Sequence, residues 1–367
     1  MRDVSFPDFN SGLAEWLTVM FCAGLAATSL MGQDNPAPPT PKIQINGAMD
    51  LESAFNPGGG GNSESLGYIK YFNEVRLSEA TLSVTGNWTH IGFRVDGGGG
   101  DFYDDAVAAD SWKGPNRYIS QAYFIWRPSG KTQVNAGKFF SSVGAEAPQS
   151  YEDFNITRSL LFWYGEPLYH VGARATTEIG RGVSAGAQLL SGCNTIAGSR
   201  GRQTEAVTAN WSGKRWGWSE IYMDGNEKRE GSGRRHLSDT VLTFNPAKAI
   251  TGYAEALATV EKRVSAGYDR WYGWATAWKY SPHPKWSVSP RADWFDDVDG
   301  ATTGMRQRLF EFTATGEYRP SKHVIARLEY RNDWSDEPFY QWKNNSPPSH
   351  FRRAFMGSLV LRFHSEL

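Results

Sequence analysis

The stretch Arg319-Pro320-Ser321-Lys322-His323 separates two runs in which polar and apolar residues alternate, and similar proline-containing stretches recur at 127–131, 245–248 and 281–285. Proline fixes φ for a tight turn and cannot donate a hydrogen bond within a central strand, so each stretch predicts the corner of a β-hairpin. Between corners lie a strand, a longer polar stretch and a returning strand. Short turns at one end and long loops at the other are typical of an outer-membrane β-barrel.

This rhythm predicts an all-β fold, a transmembrane antiparallel up-and-down β-barrel of about 16 strands with short periplasmic turns and long extracellular loops. The apolar alternation of the second strand slips between Leu77 and Leu82, which indicates a β-bulge. Further tight turns are expected at 86–87, 180–182 and 212–214. The strands are expected at 43–55, 74–85, 90–96, 118–126, 132–139, 168–177, 183–190, 203–211, 216–223, 238–245, 249–259, 271–280, 286–295, 308–318, 324–331 and 353–363.

The apolar faces of these strands end in aromatic rings. In the segment 286–294 the even positions are apolar and begin and end with Trp286 and Trp294, while the odd positions hold Ser, Arg and Asp. Phe355 and Phe363 bracket the apolar face of the last strand in the same way. A soluble sandwich shows the same alternation. Aromatic rings at both ends of an apolar band are selected by the two membrane interfaces, and they favour the barrel.

Composition agrees with a barrel. Aromatic residues make up 14% of 367 residues, including 15 Trp, yet the mean hydropathy is −0.51. A barrel turns only alternate residues of each strand toward lipid, which keeps the mean hydropathy low. The 38 Lys and Arg nearly balance the 39 Asp and Glu, and this balance argues against a nucleic-acid partner.

The N-terminus predicts an export signal, which together with the barrel pattern predicts the outer membrane of a Gram-negative bacterium. An apolar run at 17–30 ends in small residues and is followed by a Pro-rich segment. We expect residues 1–32 to be a signal peptide, 33–41 a Pro-rich periplasmic leader and 42–367 the barrel. Arg2 is the only basic residue before the apolar run, so a permanent membrane helix stays open as an alternative.

The longest predicted loop, 140–167, carries the candidate site. Its segment Leu160–Tyr164 is too apolar for water, so the loop is expected to fold into the barrel and narrow the channel. Arg158 is expected to set selectivity or, alternatively, to anchor the loop on Glu146 or Glu152. Other inward charges, at 94, 174, 291, 293, 311, 317, 327 and 329, are mixed in sign and predict weak ion selectivity. The expected pore-lining and constriction residues are Lys138, Glu146, Glu152, Asp153, Arg158, Glu166, His170 and Arg174.

The same region carries a family resemblance. The runs Gly137-Lys138-Phe139-Phe140 and Gly144-Ala145-Glu146, with the segments 155–162 and 167–174, resemble the β-barrel porin-2 (OmpL-like) family. The resemblance implies an outer-membrane channel and says little about the solute. We expect passive diffusion of small hydrophilic solutes or ions, contact with outer-membrane lipid and, by analogy with porins of this size, a homotrimer.

Other interpretations compete with the channel. Residues 182–186 match the G-x-S-x-G pattern of hydrolases, but Ser184 falls within a strand rather than at a strand-to-helix turn, so no enzyme is expected. The glycine runs at 58–61 and 97–100 are expected to be flexible loop tips. Asp101, Asp104 and Asp105 could hold Ca²⁺, although a solvated acidic loop fits better. No other metal or cofactor is indicated. The alternative from another class is a secreted all-β carbohydrate-binding protein.

Overall fold

Sixteen antiparallel strands form a closed barrel in which each strand pairs with its neighbours in sequence and β1 pairs with β16. A computed structural model describes residues 42–55, 66, 68, 72–107, 115–195, 203–226, 233–263, 267–341 and 347–366. The strands are β1 (Lys42–Phe55), β2 (Val75–Asn87), β3 (Ile91–Gly99), β4 (Ile119–Ser129), β5 (Thr132–Phe140), β6 (Tyr169–Gly180), β7 (Val183–Leu190), β8 (Thr204–Ser212), β9 (Trp216–Asn226), β10 (Arg234–Ala247), β11 (Ile250–Lys262), β12 (Tyr268–His283), β13 (Trp286–Asp297), β14 (Gln307–Ser321), β15 (Val324–Ser335) and β16 (Phe351–Glu366).

All the expected strands are present, which confirms the predicted fold. The expected signal peptide, the leader and the glycine run at 58–61 lie outside the described residues. Several strands extend further toward the extracellular side than expected, and β10 begins at Arg234 instead of 238. Beyond the lipid band a strand needs no apolar face, so alternation no longer marks where it ends. Pairing there is supported by side chains such as Arg234, which donates to Asp224 across β9 and β10.

The four proline stretches are hairpin corners, as predicted. At each of them the pairing register shifts, for example between Tyr318 and Ser321. Proline has no N–H to offer, so the ladder cannot continue regularly to the turn. The residue before proline bonds instead to the adjacent hairpin, and the Arg319 N–H donates to the carbonyl of Lys285 at 2.8 Å. Neighbouring periplasmic turns are thereby linked by backbone hydrogen bonds.

The bulge in β2 is confirmed, whereas one predicted loop tip is wrong. Asp50 pairs with Glu79 and the next residue of β1 pairs with Leu77, so Ser78 is the extra residue. Gly97–Gly99 belong to β3 and are not a loop tip. An added Cβ at Gly98 would lie 1.9 Å from the carbonyl oxygen of Ala80, so glycine here allows close strand approach.

Exposure separates the two faces of the wall. Leu328 is 75% exposed on the outer face, whereas the adjacent Arg327 and Glu329 are 2% and 4% exposed on the inner face. Trp286 stacks on Tyr318 with ring centroids 4.2 Å apart at the periplasmic end of the outer face. Apolar residues therefore face outward and charged residues inward. Within the described residues no helix is long and apolar enough to cross a membrane.

Loops fill much of the interior. The segment 140–167, called the inner loop below, contains a short helix, α1 (Leu160–Gly165), that packs against β11 to β14. From the preceding loops Tyr68 and Phe102 are also buried, with ring centroids 4.9 Å apart. The apolar core thus lies inside the barrel, between loops and wall. The expectation that the inner loop folds inward is confirmed.

Candidate functional site

The inner loop crosses the barrel as soon as it leaves β5. The Gly144 N–H donates to Asp239 on β10 at 2.9 Å, and the Ala145 N–H donates to Glu255 on β11, also at 2.9 Å. The two acceptors lie five and six strands around the barrel from β5, where the loop starts. Backbone donors bound to carboxylates form strong hydrogen bonds, so this end of the loop is fixed to the β10–β11 wall.

Glu146 links the loop to the next part of the wall. Its Oε1 accepts from Arg291 Nη1 at 2.8 Å, and its Oε2 accepts from the Ser159 N–H at 2.6 Å. Arg291 also lies 3.1 Å from Glu311 and 3.5 Å from Asp293. All these side chains are buried. One arginine therefore holds three carboxylates together, and one of them belongs to the loop.

Arg158 forms hydrogen bonds with other residues of the inner loop. Its Nε donates to the carbonyl of Ala147 at 2.9 Å, and its Nη1 donates to the carbonyl of Ile156 at 2.8 Å. Its Nε also lies 3.0 Å from Asp153 Oδ2. The side chain is only 1% exposed. Arg158 therefore bonds within the inner loop, and the acid beside it is Asp153 in place of the expected Glu146 or Glu152.

The middle of the loop is bound to β13–β15. Asn155 Nδ2 donates to Thr315 at 2.7 Å, and Thr157 Oγ1 donates to Glu329 at 2.6 Å. The Ile156 N–H donates to the same carboxylate. These bonds satisfy the polar groups of a loop that has no strand partner, which burial requires.

A buried cluster closes the loop over the junction of β1 and β16. Arg327 Nη1 donates to the carbonyl of Ser150 at 2.7 Å, and its Nη2 donates to Asp50 on β1 at 2.9 Å. Ser358 on β16 donates to the same carboxylate at 2.6 Å. One loop residue is thereby tied to three strands.

The helix α1 provides the apolar contact between the inner loop and the barrel wall. Ser159 caps its N-terminus, because the side-chain oxygen accepts from the Phe162 N–H at 3.0 Å. Leu160 and Leu161 are fully buried in a cluster that also contains Leu257 and Phe295. Burying these side chains draws the helix to the β11–β14 wall and explains why so apolar a loop is stable in a channel protein.

Carboxyl groups crowd together where the loop returns to the wall. Burial, together with the neighbouring carboxyls of Glu255 and Asp239, raises the pKa of Glu166 well above its usual range. Gly144 has φ of +89° beside it, and an added Cβ there would lie 1.8 Å from Glu166 Oε2. Burial likewise raises the pKa of Asp153 to about 8, against the effect of Arg158.

The raised pKa of Glu166 predicts a pH dependence. An acid whose folded-state pKa lies above its ordinary value of 4.5 binds more protons folded than unfolded, so stability falls as pH rises above that value. We expect the wild-type protein to unfold at lower urea concentration at pH 9 than at pH 6, and Glu166→Gln to flatten this dependence. Urea titrations in lipid vesicles provide the measurement, and an equal pH dependence in both proteins would contradict it.

Two expected site residues lie on β6, next to the strand from which the loop starts. His170 is 1% exposed and contacts Ser141 Oγ and the Gly192 carbonyl, so it supports the loop base. Arg174 remains half-buried on the inner face, with its guanidinium 4.4 Å from the Phe139 ring centroid. Of the loop acids, Glu152 is exposed.

Lys138 does not face the channel. It is in register with Ala122 and Val171, while the next residue, Phe139, packs into the interior cluster. Successive residues of a strand point to opposite faces, so Lys138 belongs to the outer face. Its Nζ donates to the carbonyl of Ile119 at 2.8 Å, so the ammonium group has a hydrogen-bond acceptor near the extracellular end of the strand.

Sequence reasoning missed the wall residues that receive the loop. Asp50, Asp239 and Glu255 were not among the candidates, although each is buried and bonded to the loop or to its partners. The available signal was a carboxylate on the inward register of its strand, which other inward acids such as Glu52 share.

The other candidate sites have structural roles. Ser184 lies within β7 and accepts from Asn210 at 3.2 Å, so it is not at a nucleophile turn. Asp101 is 4% exposed and receives two hydrogen bonds from Arg76, which contradicts the expected solvated acidic loop at this position. Asp104 pairs with Arg117 at 2.7 Å. Among the described residues no group of three or more His, Cys, Asp or Glu could hold a metal ion.

A closed barrel of 16 strands with a long loop folded into its lumen defines the outer-membrane porin class. The chain belongs to the beta-barrel porin-2, OmpL-like family, whose sequence profile matches residues 42–363. The resemblance of the region around the inner loop is therefore confirmed. The protein is an outer-membrane channel and not a secreted carbohydrate-binding protein. No curated protein matches the chain.

Solved structures share the fold at low identity. The anion-selective porin from Comamonas acidovorans has a TM-score of 0.62 and 10% identity, over 89% of this chain and 100% of that chain. The outer-membrane channel DcaP of Acinetobacter baumannii has a TM-score of 0.61 and 10% identity, over 92% and 100%. OmpT of Vibrio cholerae in a trimer form gives 0.61 and 10%, over 89% and 100%. Identities this low establish the fold alone.

Proposed function

We propose that the protein mediates passive diffusion of small hydrophilic solutes and ions, without covalent catalysis, and that the inner loop sets the constriction. The observation that carries the proposal is the path of the loop, which crosses the barrel and is bound to the walls formed by β10–β11, β13–β15 and β1. Solutes pass between the loop and β5–β9, where the half-buried inner side chains other than glycine are polar. These are Gln133, Arg174, Thr176, Ser184, Thr208, Asn210 and Ser219.

Conductance across a planar bilayer tests this function directly. Purified protein should give discrete conductance steps that are unchanged by Ser184→Ala, because the Ser184 hydroxyl is only one polar group of the wall. Esterase activity that disappears with Ser184→Ala, in a preparation without conductance, would support a membrane-embedded hydrolase instead. Liposome swelling with sugars and amino acids of graded size would then define the solute range.

The charges at the periplasmic mouth support a preference for anions. The acids of the inner wall at the level of the loop, such as Asp293 and Glu311, are fully buried. Among the residues at the short turns whose exposure the structure describes, Glu178 is the exposed acid. An excess of basic charge around an entrance raises the local concentration of anions. The basic residues at or next to the short turns are Arg127, Lys131, Arg181, Lys214, Arg215, Lys248, Lys285, Arg319 and Lys322.

This preference predicts the effect of charge reversal at the mouth. Under a KCl gradient the wild-type reversal potential should indicate anion preference, and the combined change Lys131→Glu, Lys248→Glu and Lys285→Glu should move it toward cations. All three side chains are exposed, so folding should not suffer. Lys262→Glu, at the opposite end of the barrel, is the matched control. Equal shifts in the two proteins would contradict a role of the mouth.

Arg158 should behave differently from Arg174. Arg158 is buried and bonded to the loop itself, so Arg158→Gln should loosen the loop and make the conductance larger and noisier with little change of reversal potential. Arg174 is half-buried on the inner wall, and Arg174→Glu should shift the reversal potential toward cations. Planar-bilayer recordings of both variants decide between the roles. A cation shift with Arg158→Gln alone would restore Arg158 as the selectivity residue.

A homotrimer in outer-membrane lipid completes the proposal. It is supported by the trimer form of the similarly folded OmpT from Vibrio cholerae. Closed cyclic symmetry is the rule for homo-oligomers, and it requires each copy to present complementary surfaces to its neighbours.

A further inference from the structure

The inner wall of β6–β8 contains a recess where the middle strand has no side chain. Gly186 on β7 is in register with Thr176 on β6 and with Thr208 on β8. All three face inward, because Leu190, on the same face of β7, is buried in the interior cluster. An added Cβ at Gly186 would lie 2.6 Å from Thr208 Oγ1 and 3.3 Å from Thr176 Oγ1. Two hydroxyls therefore flank an empty position, called the Gly186 recess below.

A hydrogen-bonded chain orients a third hydroxyl next to the recess. Ser219 on β9 donates to Asn210 Oδ1 at 2.9 Å, and Asn210 Nδ2 donates to Ser184 Oγ at 3.2 Å. Ser184 lies two residues from Gly186 on β7 and is half-buried. Since its oxygen accepts from Asn210, its own proton is directed elsewhere and can be donated to a solute. The wall around the recess thus offers both donors and acceptors, which is what a hydroxyl group requires.

Arg174 places a positive charge beside the recess. It lies two residues from Thr176 on β6, which is about 6.7 Å along the strand. Its guanidinium is 4.4 Å from the Phe139 ring centroid, and its Nη1 donates to Ser142 of the inner loop at 3.2 Å. These contacts position the guanidinium, and the side chain stays half-buried. A planar guanidinium is well suited to binding a carboxylate.

The acids nearby leave this charge effective for a solute. Glu146 and Asp153 of the inner loop are buried beside Arg291 and Arg158. On the described inner face of β5–β9 the acid is Glu178, which lies at the periplasmic turn. An anion that reaches Arg174 therefore meets no carboxylate of this described wall at the level of the recess.

We propose that Arg174 and the Gly186 recess together bind hydroxylated carboxylates, the class of hydroxy acids and sugar acids, as they pass through the channel. The proposal rests on the proposed diffusion function and names its preferred solutes. Arg174 binds the carboxylate, and the hydroxyls of Thr176 and Thr208 exchange hydrogen bonds with a hydroxyl on the same solute. A short carbon chain spans the distance between the two groups. A carboxylate without a hydroxyl makes only the first contact.

Lactate and propionate provide a matched pair of solutes, because they differ in one hydroxyl group. In planar bilayers with potassium lactate on one side and potassium propionate on the other, the reversal potential gives their permeability ratio. Wild-type protein should favour lactate about two- to five-fold, which corresponds to one weak net hydrogen bond. A wild-type ratio of one or below would overturn the proposal without any variant.

The combined change Thr176→Val and Thr208→Val should bring the ratio close to one. Valine keeps the shape of threonine and suits a strand, so the barrel should still form. Thr259→Val is the matched control, since Thr259 is an inward threonine that is 2% exposed and in register with Trp271, which bonds to α1. This control should keep the wild-type ratio. An unchanged ratio in the double variant would overturn the role of the recess.

Arg174→Gln separates the charge from the hydroxyls. It should lower the permeability of lactate and propionate relative to K⁺ by similar factors, and the ratio between the two acids should stay near the wild-type value. A ratio that falls to one in Arg174→Gln while the double threonine variant keeps the preference would contradict the assigned roles. Conductance in KCl, measured in the same bilayers, distinguishes the two proposals. Wild-type conductance steps without lactate preference would overturn the binding step alone, whereas absent steps would overturn the channel.

Discussion

Replacing residues 148–160 by a four-residue Gly-Ser linker should raise single-channel conductance several-fold. The deleted segment contains the contacts of Ser150 with Arg327 and of Asn155 with Thr315, which hold the loop across the barrel. Without this segment, water reaches inner-wall residues that are buried in the wild-type protein, and the cross-section available to ions grows. Planar-bilayer recordings in KCl measure the effect.

The matched control shortens a loop at the rim. Replacing residues 300–304, which connect β13 and β14, by two glycines should leave conductance near the wild-type value, since these residues are not part of the inner loop. An unchanged conductance after the 148–160 replacement would mean that the inner loop does not define the constriction.

Arg291→Met should cause a large loss of folding stability. The arginine is fully buried between Glu146, Asp293 and Glu311, and its removal takes away the cation that contacts all three carboxyls. Breaking a buried ion pair from one side typically costs about 3–5 kcal/mol. We expect a loss of that size in urea unfolding within lipid vesicles, followed by tryptophan fluorescence.

Arg308→Met provides the comparison for Arg291. Arg308 lies 3.1 Å from Asp296, but its side chain is 63% exposed, so water replaces the lost partner. Its substitution should leave the unfolding midpoint close to wild type. Adding Glu146→Gln to Arg291→Met should recover part of the lost stability. Similar midpoints for the Arg291 and Arg308 variants would contradict the role of the buried cluster.

The strand pattern could be predicted because it depends on neighbours in sequence. Alternation in a segment such as 286–294 reflects the two environments of one strand, lipid and interior, and needs no knowledge of the partner strand. The bulge at Ser78 was visible for the same reason, since one extra residue changes the phase of the alternation. The ends of strands such as β10 were missed because polar residues outside lipid show no such contrast.

The contacts of the inner loop could not be predicted in the same way. Glu146 meets Arg291, which lies 145 residues further along the chain, and no local pattern indicates that pairing. An anchoring arginine and a selectivity arginine also look alike in sequence, since both need the charge. Arg158 and Arg174 differ only in burial, which depends on how the whole barrel closes around the loop.

The cluster at Asp50 bears on the order of assembly. Asp50 lies on the first strand, Arg327 and Ser358 lie on the last two, and Ser150 reaches them from the inner loop. The side chains that bond to Asp50 are 100 to 308 residues away from it in sequence, so the cluster can form only after the two edges of the sheet meet. Contacts this distant in sequence form late in folding. The cluster consequently joins β1, β16 and the inner loop only after β1 has paired with β16. A factor that separates β1 from β16 would first have to break the hydrogen bonds between the loop and this cluster.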